Sequence, residues 1–162
     1  MEYKFVTPEG YKPQKIISFE YPSNWKVEWE DEETRGTKTI AIWRKGSLFR
    51  KESKMTLRID PLWIGGRKKK FSPGEEAIKH RKDHEGSVYL QRDNLHILQY
   101  FKGNEERGIN LKISYWDVHH ENGILVCSFT MRKGEEDLET TKEEFSIAEK
   151  IISTIRITDA IF

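Results

Sequence analysis

At 162 residues the chain has the length of one domain with its own core. Hydrophobic residues make up 36% and charged residues 34%, yet the sequence holds 5 Trp, 6 Tyr and 8 Phe, an aromatic content that excludes a disordered chain. The 28 basic and 27 acidic side chains nearly cancel, so the basic excess of a dedicated nucleic-acid binder is missing and no nucleic-acid partner is expected.

Cys127 is the single cysteine, which excludes an intrachain disulfide and with it a secreted disulfide scaffold. The opening Met1-Glu2-Tyr3-Lys4-Phe5 has no apolar run like that of a signal peptide. Nor does any stretch approach the roughly 20 apolar residues of a membrane-spanning helix. A cytoplasmic protein with no membrane partner is therefore expected.

Residues 1–15 carry Pro8, Gly10 and Pro13 without sustained periodicity and are predicted to form an irregular arm. An α+β core is predicted over 16–157, within a single domain spanning 1–162. Ile17, Phe19 and Tyr21 alternate with polar residues at the period of a half-buried strand. After Pro22-Ser23-Asn24, the residues Trp25, Val27 and Trp29 share one strand face, and five acids among residues 28–33 mark a hairpin end. Thr37 to Arg44 is the next strand, with Ile40 and Ile42 opposite Ala41 and Trp43. Met55, Leu57 and Ile59 belong to another, which Pro61 is expected to end.

Residues 65–74 read as a basic loop running into a helix start. Ser72 can cap, Pro73 suits the first helical position, and Glu75 completes a capping-box pattern. The helix is predicted from Pro73 to about His84, with Ala77 and Ile78 as its only aliphatics. Strand alternation returns at Val88 and Leu90, at 95–102 and at 109–118, where Ile109, Leu111, Ile113 and Tyr115 oppose Asn110, Lys112 and Ser114. Asn122-Gly123 is a strong hairpin signal before Leu125, Cys127, Phe129 and Met131. Leu138, Thr141, Phe145, Ala148, Ile152 and Ile155 then fall at helical spacing behind the acids Glu135, Glu136, Asp137 and Glu139. The class that follows is α+β: a mostly antiparallel sheet of about seven to eight strands with two helices packed on it.

Two stretches resemble a known family. Tyr21-Pro22-Ser23-Asn24-Trp25, at the end of a strand, and Glu149-Lys150-Ile151-Ile152-Ser153-Thr154-Ile155-Arg156-Ile157, at the close of the last helix, resemble the opening and closing of PsbP-like domains. That resemblance implies an α/β/α sandwich, a fold shared with a photosystem subunit, a Ran-binding import factor and many small bacterial proteins. It implies binding to other proteins rather than catalysis.

Candidate sites are few. His80 and His84 stand four apart on the first predicted helix with Glu76 one turn earlier, a spacing that puts three metal-ligand types on one face. Lys79, Arg81 and Lys82 crowd the same helix, so the residues are expected to form a solvated face and no metal is assigned. His119 and His120, beside Asp117 and Glu121, point to opposite sheet faces and are expected to be strand-end polar residues. Cys127 is expected to be a buried, inert thiol.

A binding surface is drawn instead at Trp63, Arg67, Lys68, Lys69 and Lys70, a basic loop with an aromatic anchor suited to an acidic protein surface. Trp116 joins it, either covered by a helix or exposed as a docking surface. The expected function is a non-enzymatic protein-binding module of immunity or adaptor type. It is expected to be a monomer or homodimer, without catalytic residues or cofactor. The alternative is a small-ligand or metal-binding protein, or an enzyme, with a cleft near the histidines.

Overall fold

The computed structural model describes residues 1–7, 14–32, 37–62, 72–121 and 123–160. Trp63, Arg67, Lys68, Lys69 and Lys70 lie outside these residues, so the expected basic interface does too. Among the described residues twelve elements follow in chain order: β1 (Glu2–Val6), β2 (Lys15–Glu20), β3 (Trp25–Glu32), β4 (Thr37–Arg44), β5 (Leu57–Leu62), α1 (Pro73–Arg81), β6 (Val88–Arg92), β7 (Leu95–Glu106), β8 (Ile109–His120), β9 (Gly123–Arg132), α2 (Glu139–Ser153) and β10 (Arg156–Asp159).

Seven strands form one antiparallel sheet in the order β3-β4-β5-β9-β8-β7-β6, and β1-β2-β10 form a second, also antiparallel. The α+β class is as expected, with the strands divided between two sheets. Part of the predicted arm is a strand, since Glu2–Val6 pairs along β2. Pro61 does not end β5: it continues the strand opposite Leu125.

Alternation places the core. On the large sheet Ile40, Ile59, Cys127 and Trp116 follow one another across β4, β5, β9 and β8, so they share a face. Ile17, Phe19, Ile151 and Ile152, from β2 and α2, join the same buried cluster. Phe145 of α2 packs against Trp116 and Phe129 at ring separations of 5.8 and 6.1 Å. The helix α1 lies on the opposite face, where His80 meets His119 and His84 meets Tyr100. The two helices therefore sandwich the seven-stranded sheet.

That arrangement corrects three expectations. The apolar-looking Ile109/Leu111/Ile113 face of β8 is not the main core face. It turns toward α1, and Ile109 is 40% exposed on the hairpin that projects past the sheet. Leu138 precedes α2 and is half exposed, because the helix begins one residue later. Ile155 is buried but lies beyond the helix. Thr154 closes the helix there, and Ile157 enters β10 on the strand period.

Thr154 also joins three elements. Its hydroxyl accepts from the Glu20 backbone N–H at 2.8 Å and donates to the Ile151 carbonyl at 2.8 Å. Thr154→Val removes both bonds at constant shape and lowers the unfolding free energy by about 1 kcal/mol. A urea titration of the variant beside the parent measures it, and an unchanged midpoint counts against this joint.

Candidate metal centre between α1 and the sheet

The helix α1 approaches the sheet along Gly74, Ala77 and His80, with His84 just beyond its end. Small residues allow the approach. Ala77 is fully buried, and a Cβ added at Gly74 would come within 3.3 Å of the His96 ring. The capping box is not formed. Ser72 makes no side-chain cap bond, although its carbonyl accepts from the Glu76 N–H at 3.0 Å.

Beneath this helix, β7 and β8 present His96, Leu98 and Tyr100 opposite His119, Asp117 and Tyr115. The rings of His80 and His119 are 5.0 Å apart, and His84 stacks on Tyr100 at 3.7 Å with planes 6° from parallel. The Tyr89 hydroxyl hydrogen-bonds Nδ1 of His96. The ligand atoms of His80, Asp117 and His119 all lie within 4.8 Å of one another.

The expected solvated histidine face is therefore corrected. His80 and His84 turn inward, because the stripe that meets the sheet is theirs. His119 and His120 are not exposed strand-end residues either: they are 3% and 2% exposed. They do point to opposite faces, but His119 gains its partner from α1 rather than from its neighbour. Glu76 stays outside the cluster.

Burial sets the protonation states. It pulls the His119 imidazole down to about 4, and charge on His80 and His96 adds to the effect, so His119 is neutral at neutral pH, with one ring nitrogen unprotonated. Its Nε2 is buried and, among the described residues, has no hydrogen-bond partner. Burial pushes the Asp117 carboxyl up, against the Tyr100 hydrogen bond and the charges of His80, His84 and Lys102. The Tyr100 hydroxyl is pushed far up, first by burial and then by Asp117. It stays protonated and donates to Oδ1 of Asp117 at 3.2 Å.

Two imidazoles and a carboxylate are a donor set for first-row divalent metals, with one or more positions left for water or another ligand. The Tyr100 bond to Asp117 is the outer support such a ligand needs. Tyr100 is the member that sequence reasoning did not place in a site, and Asp117 was named only as a neighbour of His119 at a strand end. The period-2 alternation does put Asp117 and His119 on one face. Only the crossing of α1 adds the third donor.

The remaining sites differ. Trp116 is 3% exposed beneath α2, so it takes the covered alternative and offers no docking surface. Cys127 is fully buried and its thiol is pushed well up by burial, in keeping with the inert role expected. An open cavity of about 770 Å³ lies on the α2 side of the molecule, lined by Tyr21, Ile147, Ile151 and Thr154 among others. Among the described residues, no helix is long and apolar enough to cross a membrane.

No protein-family profile matches the chain, and no curated protein matches it. Solved structures do. A protein from Bacteroides thetaiotaomicron matches with a TM-score of 0.56 and 22% identity over 94% of this chain. The chain spans about half of that protein's length, 47%. LpqN of Mycobacterium tuberculosis, a protein involved in cell envelope biogenesis, matches with a TM-score of 0.53 and 11% identity, covering 97% of this chain and 91% of its own. At these identities the likeness is one of fold.

Proposed function

We propose that this protein is a non-enzymatic binding protein whose ligand is a divalent first-row transition-metal ion, held by His80, Asp117 and His119. The observation that carries this reading is the buried, unpartnered Nε2 of His119 beside two further donors within 4.8 Å. A buried polar atom without a partner is costly, and a metal bond removes that cost. Zinc is the first ion to test, since imidazole and carboxylate suit it and the neutral His119 needs no proton removed.

Cobalt(II) added to the full chain gives visible d–d absorption with one ion per chain, and zinc displaces it. Asp117→Asn and His119→Gln abolish the spectrum. Tyr100→Phe, which removes only the hydrogen bond to Asp117, weakens binding about 10–100-fold. An unchanged cobalt spectrum in all three variants would falsify the assignment.

A second reading, docking to a protein partner, is favoured by the loop between β4 and β5. Leu48 and Phe49 are 97% and 94% exposed there. The loop is tied by the Ser47 hydroxyl, which accepts from the Phe49 and Arg50 N–H groups, and Lys45, Arg50 and Lys51 flank it. It repeats the chemistry expected at 63–70: an apolar anchor among basic side chains, suited to an acidic partner with an apolar pocket. The PsbP-like kinship proposed from the terminal motifs accords with such a role. Affinity capture from the native source, with Leu48→Ser/Phe49→Ser as control, tests it. A captured protein retained equally by both baits sinks this reading.

A further inference from the structure

Resting on the metal reading above, we infer that the ion acts as a clamp that holds α1 on the sheet, making this helix a metal-responsive element. The helix has nine residues, shorter than the roughly 12–15 an isolated helix needs to persist in water. Its backbone lies close to β7 and β8, but its apolar hold on the sheet is thin. Ala77 is its only buried residue, Ile78 is 57% exposed, and Ser72 supplies no side-chain cap.

By contrast α2 places five buried residues on the body of the protein. What α1 puts against the sheet is imidazole, from His80 and from His84 beyond its end. A helix held in this way belongs to the low-stability end of the structure, where local opening precedes global unfolding.

The donors are divided between the two bodies that open. His80 comes from α1, while Asp117 and His119 come from β8, a strand in the seven-stranded sheet paired on both sides. An ion bound to all three closes a bridge from helix to sheet. The three donors lie within 4.8 Å of one another. The sheet ladder holds the backbone of Asp117 and His119, and Tyr100 holds the Asp117 carboxyl, so it is His80 and the helix carrying it that leave the site when α1 opens. The ion then binds the closed arrangement better than the open one, and that difference is what shifts a population.

Hydrogen exchange on the full chain, with and without zinc alone as the added ligand, tests the clamp beside the cobalt titration. At free zinc near 100 times the dissociation constant, opening of α1 is suppressed about 100-fold, so the amides of Ala77–Arg81 exchange about 100-fold more slowly. The amides of Ala148–Ile152 in α2 serve as the internal reference, and the relative slowing at α1 is the signature. His119→Gln, altered on the strand and not on the helix, removes the zinc effect.

Cobalt binding with unchanged α1 exchange overturns the clamp and leaves the metal site standing. Absence of cobalt binding overturns both. Zinc protection that persists in both His119→Gln and Asp117→Asn also overturns the clamp, because the ion then acts from elsewhere.

Discussion

Glu144→Ala lowers the unfolding free energy by about 3–5 kcal/mol, the usual result of leaving one member of a buried ion pair alone. Glu144 sits on the sheet-facing side of α2 with its side chain 2% exposed, and Nε of Arg44 stands 3.5 Å from its Oε1. Arg44 ends β4 on the same face as Ile40 and Ile42, so its guanidinium is carried toward α2. The rest of that group is satisfied locally. Nη1 donates to the Lys45 carbonyl at 3.1 Å and Nη2 to the Lys51 carbonyl at 3.0 Å, which pins the loop after β4.

Removing Glu144 therefore takes the counter-charge from a guanidinium that two backbone carbonyls hold in place and that is only 12% exposed. An apolar replacement of both residues, Arg44→Met with Glu144→Leu, recovers most of the loss, because neither charge is then desolvated. The double-mutant cycle by urea denaturation measures the coupling. Additive losses from the two single variants would show that the pair does not act as a unit.

The second large effect is acid destabilisation through His119. Its folded-state value of about 4 lies below the ordinary 6.5, so between those values the unfolded chain binds more protons than the folded one. Stability contributed by the neutral, buried ring is fully present above pH 6.5 and is lost as the pH falls toward 4. The difference corresponds to about 3 kcal/mol.

The groups facing the ring belong to α1 and to the neighbouring strands. His80 and His96 oppose a charge on His119, and Asp117 lies within the same cluster. Asp117 acts with the opposite sign. Its raised carboxyl takes up a proton in the folded state first, which offsets part of the loss just above its ordinary 3.8. Urea titrations of the metal-free chain at stepped pH, beside His119→Asn, measure the difference. Parallel curves for the two proteins would place the acid sensitivity elsewhere.

Much of the local structure was legible because it follows from periodicity. Trp25, Val27 and Trp29, or Leu125, Cys127 and Phe129, have a period of two that survives in the folded chain. The stripe on α2 was legible for the same reason, and it held more than its apolar members. Glu144 lies one turn before Ala148, and Arg44 shares a strand face with Ile40 and Ile42. An acid and a base on two apolar faces are a signal for a buried pair, although no local rule says that these faces meet.

Local patterning was enough for the class, most strands, both helices and which residues share each face. It could not determine which face of β8 is the core. Ile113 and Trp116 compete on opposite sides, and a strand with a helix over each face has two insides. Nor could it bring His80 to His119, which are far apart in the chain and meet only where α1 crosses the sheet. Faces are set by the alternation of neighbouring residues, a local property of the backbone. Which faces meet is decided by the packing of whole elements, and the candidate metal centre depends on that choice.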